Sequence, residues 1–203
     1  MISTLSQHQY TVDEYLTQET QSEERHEYLN GEITPMTGGT PNHNQINLNL
    51  AGSLNFALRR QPYQVFITDQ RLWIPEPKIY TYPDVMVVRQ PLELHTGRND
   101  TITNPLMIAE VLSQSTRSYD KDRKFKAYRT IDSFQEYLLI DQYQAHVEHY
   151  TKTEEQAWLF REYDGLEATV SLQALEFTLQ LADLYDKVEF PTEERETAQP
   201  EQD

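Results

Sequence analysis

Stripes of helical period and short apolar runs, each opened or interrupted by one carboxylate, follow one another along this chain. Thr11 to Glu14 has the spacing of a capping box, and Val12, Tyr15 and Leu16 follow at helical intervals, which predicts a short first helix ending before Gln21. Asn30-Gly31 sits between alternating residues in His26–Ile33, the local signature of a hairpin with a tight primed turn. Thr40-Pro41 then offers a cap and a favourable first helical residue ahead of Ile46, Leu50, Leu54, Ala57 and Leu58, one apolar stripe of a long helix.

From Gln64 to Pro75 the alternation of Val65 and Ile67, then Leu72 and Ile74, predicts an extended strand or strand pair. Asp84–Val88 and Leu106–Leu112 read as buried central strands, each carrying one acid. Residues 117–130 read as a basic helix with Phe125 and Tyr128 on its packing side, and Glu136–Asp141 returns as a strand. Further strands are expected at Ala145–Tyr150, Ala157–Tyr163 and Ala168–Leu172, with Asp164-Gly165 as a turn, and Phe177–Leu184 closes the packed part. The order is α/β, with a central sheet flanked by helices. It predicts one domain over residues 1–190 and an acidic, disordered tail over 191–203, where Pro, Glu and Gln leave too little apolar surface to order the chain.

Charge alters this picture in one place. The formal net charge of -16 repels polyanions over the whole molecule and argues against a general nucleic-acid coat or adhesion to anionic membranes. The imbalance is uneven, because the segment from Glu189 onward holds Glu189, Glu193, Glu194, Glu196, Glu201 and Asp203 against one Arg195. Residues 117–129 instead gather Arg117, Lys121, Arg123, Lys124, Lys126 and Arg129 against Asp120 and Asp122. With no cysteine there is neither a disulfide framework nor a thiolate zinc site, and no stretch approaches the about 20 apolar residues of a membrane span. A cytoplasmic protein without membrane attachment is the expectation.

Glu110 carries the chemistry most plainly. A glutamate among Ile108, Ala109, Val111 and Leu112 is costly to bury without a partner or a metal ion. Asp84, after Pro83 at the head of another apolar strand, is close enough in sequence for the two strands to pair. Two carboxylates on neighbouring strands suit a hard divalent cation such as Mg²⁺ or Mn²⁺, which keeps several waters and can activate one of them.

Tyr82-Pro-Asp-Val-Met-Val-Val88, Ala109-Glu-Val-Leu-Ser113, Asp120 with Lys124 and Tyr128 at successive intervals of four, and Glu136-Tyr137 follow in that order. Together with Arg25-His-Glu-Tyr-Leu-Asn-Gly-Glu32 and His43, this set resembles the Uma family of restriction-endonuclease-like proteins, in the PD-(D/E)XK nuclease superfamily, over roughly residues 10–185. The resemblance implies a mixed central sheet with an N-terminal β-hairpin extension and a metal-dependent nuclease acting on DNA. It implies catalytic Asp84, Glu110 and Lys124, metal ligands at Asp84 and Glu110, a further carboxylate at Glu27, and a homodimer. The superfamily lysine stands two residues after the acid, where this chain has Leu112; Lys124, on the following helix, is the matching residue.

Other readings stay open at this level. Asp120 and Lys124, four apart, also fit a surface ion pair. His43 either touches a substrate phosphate or caps and packs its helix, and Glu27 also fits an exposed cross-strand pair. Arg117 and Lys121 are candidate phosphate contacts on what is otherwise a solvated face. A non-catalytic interaction or regulatory protein retaining the nuclease fold is the rival function, and fold alone does not decide between them.

Overall fold

The computed structural model describes residues 8–36 and 38–191; the expected tail from residue 192 onward lies outside them. Helix α1 (Val12–Gln21) opens on the capping box, with Thr11 and Glu14 satisfying each other's backbone N–H groups. Strands β1 (His26–Leu29) and β2 (Glu32–Pro35) form the hairpin. Its turn places Asn30 and Gly31 at φ 45° and 107°, a left-handed pair that Asn-Gly tolerates at little cost. Helix α2 (Pro41–Ala57) starts at the Thr40 cap and buries Ile46, Leu50 and Leu54.

The expected extended region after α2 is two strands in different sheets. Strand β3 (Tyr63–Ile67) is an edge of a six-stranded sheet, whereas β4 (Arg71–Ile74) joins the hairpin through β5 (Ile79–Thr81). Strands β6 (Val85–Arg89) and β8 (Pro105–Leu112) follow, with the two-residue β7 (Thr101–Ile102) between them. The chain then crosses over through helical residues 117–128 to β9 (Glu136–Asp141), which pairs parallel to β8. Within the crossover, Tyr119–Lys124 is a π-helical turn and Phe125–Tyr128 is helix α3. The long hairpin of β10 (His146–Glu154) and β11 (Ala157–Asp164), the small hairpin of β12 (Thr169–Leu172) and β13 (Phe177–Gln180), and helix α4 (Leu181–Leu184) complete the described chain.

The six-stranded sheet, ordered β11-β10-β9-β8-β6-β3, has apolar side chains on both faces because both are covered. On one face, Ile46, Leu50 and Leu54 of α2 pack against Val85, Val87, Ala109, Val111 and Ile140. On the other, Met86, Val88, Ile108, Leu112 and Leu139 meet Tyr128 and Phe134 from the crossover and Leu72, Ile74 and Ile79 from the second sheet. That second sheet runs β2-β1-β5-β4-β7 and is backed by α1 through a buried cluster of Tyr15, Tyr28 and Tyr80, in which Tyr15 stacks on Tyr28. No helix of the described residues is long and apolar enough to cross a membrane.

Candidate functional site

Strands β6 and β8 run antiparallel with Val85 opposite Ala109, so Asp84, one step before β6, lies across from Glu110. Directly opposed residues share a face of the sheet. Both acids therefore lie on the side that carries Met86, Ile108 and Leu112, toward the crossover helix and the second sheet. Each is anchored to the other strand: the Val111 N–H donates to Asp84 Oδ2 at 2.8 Å, and the Asp84 N–H lies 3.4 Å from Glu110 Oε2.

The crossover brings Lys124 to this pair. Its Nζ is 3.2 Å from Glu110 Oε1, 3.2 Å from Asp120 and 3.4 Å from Glu27. Leu112, at the strand position where the superfamily carries its lysine, is fully buried hydrocarbon. The surface-pair reading of Asp120 and Lys124 is overturned: Asp120 is 2 % and Lys124 9 % exposed. Glu27 is likewise no exposed cross-strand residue, since it accepts from the Thr81 hydroxyl and faces Lys124.

Tyr128, read in the sequence as a packing residue of the basic helix and as part of the family motif, donates its hydroxyl to Glu110 Oε1 at 2.7 Å. Burial and the ammonium-bound acid beside it push its pKa well above the ordinary phenol range, so the proton stays on the ring oxygen. Burial, reinforced by Asp84 and Asp120, also raises Glu110 above the carboxylate range, and Lys124 offsets only part of this. For Lys124, burial alone would favour loss of the proton, but Glu110 and Glu27 outweigh it and hold the ammonium form. The asymmetry arises because one ammonium serves three carboxylates.

His43 enters from the first turn of α2, with Nε2 3.1 Å from Asp84 Oδ2. The Asn47 side-chain amide nitrogen lies 3.3 Å from His43 Nδ1, on the other side of the ring. Asn47 interrupts the buried side of α2 at i+4 from His43; a polar residue beside Ile46 was the available signal for it. Gly39 leaves room for the ring, because a Cβ there would stand 2.7 Å from His43 Nδ1.

The structure does not bring Arg117 and Lys121 to this cluster. Arg117 pairs with Asp141 at 2.6 Å, and Lys121 is bound to Glu148. Their ionic partners lie on β9 and β10, far along the sequence from the basic run.

Three carboxylates (Glu110, Glu27 and Asp120) surround one ammonium with Asp84 beside Glu110, and buried Asp120 Oδ1 has the Lys124 ion pair but accepts no hydrogen bond. An excess of hard, buried anionic oxygen suits a divalent cation of the Mg²⁺ type. Among the described residues, however, the group of three ligand atoms that already lies within 4.8 Å is elsewhere, at His146, Glu148 and Glu162 on the β10–β11 ladder. At the main cluster Lys124 stands between Glu27 and Glu110, so those oxygens do not converge as a finished cage.

The mixed α/β fold recurs in a solved structure. A crystal structure titled as a "putative nuclease belonging to DUF820", from Anabaena variabilis ATCC 29413, superposes with a TM-score of 0.69 at 19% identity, covering 87% of this chain and 98% of that one. The chain belongs to the Uma2 family, described as "Putative restriction endonuclease", which it matches over residues 12–183. Two proteins of Synechocystis sp. (strain ATCC 27184 / PCC 6803 / Kazusa), both described as uncharacterized, are similar in sequence. Protein sll1609 is 44% identical over 79% of this chain and 90% of its own length. Protein slr1290 is 33% identical over 75% and 80%.

Proposed function

We propose that this chain is a divalent-metal-dependent endonuclease that hydrolyses phosphodiester bonds in DNA. The observation that carries the reading is the placement of the Lys124 ammonium 3.2 Å from Glu110, itself across the β6–β8 ladder from Asp84.

Asp84 and Glu110 are the residues that would hold Mg²⁺ or Mn²⁺, with Glu27 as a third carboxylate. When bound, such an ion supplies charge neutralisation and a water acidified for attack. The protein's own groups fix the frame around it. Val111 N–H and His43 orient Asp84, while Tyr128 O–H occupies one side of Glu110 Oε1. Lys124 holds a positive charge at this cluster, where it stabilises negative charge developing on the phosphoryl oxygens.

One observation favours the rival, non-catalytic scaffold: Lys124 is already engaged by three carboxylates. A homodimer and a cytoplasmic location belong to the proposed reading as well. Leu159 and Phe160, 38% and 45% exposed on edge strand β11, support the dimer.

Single-turnover cleavage of plasmid and single-stranded DNA with Mg²⁺ or Mn²⁺ tests the reading on wild type, Asp84→Ala, Lys124→Met and Lys121→Met. Wild type and Lys121→Met should cleave, Asp84→Ala and Lys124→Met should lose orders of magnitude, and circular dichroism should report all four folded. A folded, metal-loaded wild type that cuts neither substrate makes the scaffold the better account.

A further inference from the structure

The helix that turns Lys124 inward presents two other cations outward. Arg123 and Lys126, three apart, share one face of the crossover and line a groove of about 580 Å³. Leu29, Pro77, Ile79 and Ala127 give it an apolar lining, and Glu32 of β2 and Glu76 of the β4–β5 turn line it as well. This volume is that of a small-ligand site, about 300–1,000 Å³. Among the described residues neither Arg123 nor Lys126 forms an ion pair or side-chain hydrogen bond, although the protein has almost twice as many acids as bases. Arg117 and Lys121, earlier in the run, are neutralised by Asp141 and Glu148, and Arg129 lies over the Phe125 ring.

The groove continues the candidate site. Glu27 and Leu29 share a face of β1, and Thr81 and Ile79 share a face of β5. The first member of each pair belongs to the Lys124 cluster and the second lines the groove. Along β1 the two places are two residues apart, about 7 Å at strand rise, a step comparable to one nucleotide of an extended strand.

We infer that this groove takes a nucleotide of a DNA strand next to the proposed cleavage position, its phosphate on Arg123 and Lys126 and its base toward Glu32 and Glu76. The apolar lining lies against sugar and base. Carboxylates facing a base accept best from an exocyclic amino group, N4 of cytosine, N6 of adenine or N2 of guanine, whereas thymine has no amino group and offers only its N3–H. The occupant is therefore an amino-bearing nucleotide. This inference rests on the endonuclease reading, and its test measures binding separately from cleavage.

Binding of labelled oligo-dC and oligo-dT to the full chain is measured by fluorescence anisotropy in EDTA over a range of salt, beside the cleavage assay. Wild type should bind oligo-dC several-fold more tightly than oligo-dT. Arg123→Ala and Lys126→Ala should each flatten the log–log salt dependence by about 0.7 for a single strand, whereas Lys152→Ala on β10 should leave it unchanged. The double substitution Glu32→Gln with Glu76→Gln should abolish the dC preference.

If wild type cleaves DNA while both cation variants keep the full salt slope, the groove assignment falls and the endonuclease reading stands. If the slope falls but dC and dT bind equally, or the double substitution tightens both alike, the base orientation is wrong. Absence of any DNA binding or cleavage by folded wild type overturns both readings together.

Discussion

Asp84 and Glu110 are held by each other's strands: the Asp84 N–H lies 3.4 Å from Glu110 Oε2, and the residue after Glu110 donates its N–H to Asp84 Oδ2 at 2.8 Å. Each acid is thus tied to the backbone of the neighbouring strand, and the pair is built into the β6–β8 junction.

Metal binding at this pair should depend on pH in a defined direction. Burial and neighbouring acids raise the Glu110 pKa, so the folded protein binds that proton more tightly than the unfolded chain, whose glutamate titrates near about 4.3. The group's contribution to stability is thus full below that value and is lost as pH rises through the raised pKa. A cation needs the deprotonated form, so the melting-temperature increase caused by Mn²⁺ should grow over the same rise. Thermal melts of wild type and Glu110→Ala, at mildly acid and mildly alkaline pH, check this. Equal Mn²⁺ shifts in the two proteins would remove the metal assignment.

Lys124→Met should cost far more stability than a surface ion pair. Taking the ammonium away leaves Glu27, Glu110 and Asp120 buried without their cation, a loss of about 3–5 kcal/mol by comparison with other broken buried pairs. The deficit should shrink as acidification protonates those acids. Urea unfolding at two pH values measures it, and a cost below about 1 kcal/mol would match a solvent-screened pair instead.

Gly39→Ala should perturb the site without touching a carboxylate. The added methyl would meet His43 Nδ1 at 2.7 Å and Cγ at 3.1 Å, so the ring must move off Asp84 or the loop must shift. Overpacking of this kind costs about 1–3 kcal/mol. The His43 ring resonances in NMR spectra should move, and unchanged shifts would show that the loop absorbs the methyl.

Asp100 provides an acid-stability test remote from the acid pair. Arg98 donates two hydrogen bonds to it and buried Arg71 a third at 2.6 Å, which together hold its carboxyl well below the ordinary range. A depressed pKa contributes stability above about 3.9 that is lost as pH falls toward the folded value. Because Asp100 is 45% exposed, the effect should be no more than about 1 kcal/mol. Asp100→Asn should be less stable than wild type at neutral pH and approach it in strong acid; a constant difference would mean that the carboxylate charge is not responsible.

Removing residues 192–203 takes away five acids and one arginine. Thermal stability should hold while affinity for DNA at low salt rises, and anisotropy titrations on both lengths decide it. Equal affinities would show that this charge does not govern access.

The features legible in the sequence were those set by neighbours along the chain. Thr11 with Glu14, Asn30-Gly31 and Thr40-Pro41 each complete their own local hydrogen bonds or backbone geometry, and each begins or turns an element where expected. Strands β5 and β7 were not legible, because Ile79–Thr81 and Thr101–Ile102 are too short for a period and are strands only through their pairing, β5 with β1 and β4 and β7 with β4. Asp84, Glu110 and Lys124 stood out by charge in apolar or motif context, and the structure brings them together. The ionic partners of Arg117 and Lys121 were not legible in the basic run, because Asp141 and Glu148 arrive from β9 and β10.

Leu112 has a mechanical consequence. Had the ammonium stood there, two residues beyond Glu110 on the same strand, its spacing from that acid would be covalent and constant. Mounted on the crossover instead, it is a separate part, seated by Tyr128 and Tyr137 packing edge to face with ring centroids 5.5 Å apart. Its distance from the acids is set by how that helix packs on the sheet, through Tyr128 bonded to Glu110, and not by the geometry of a single strand.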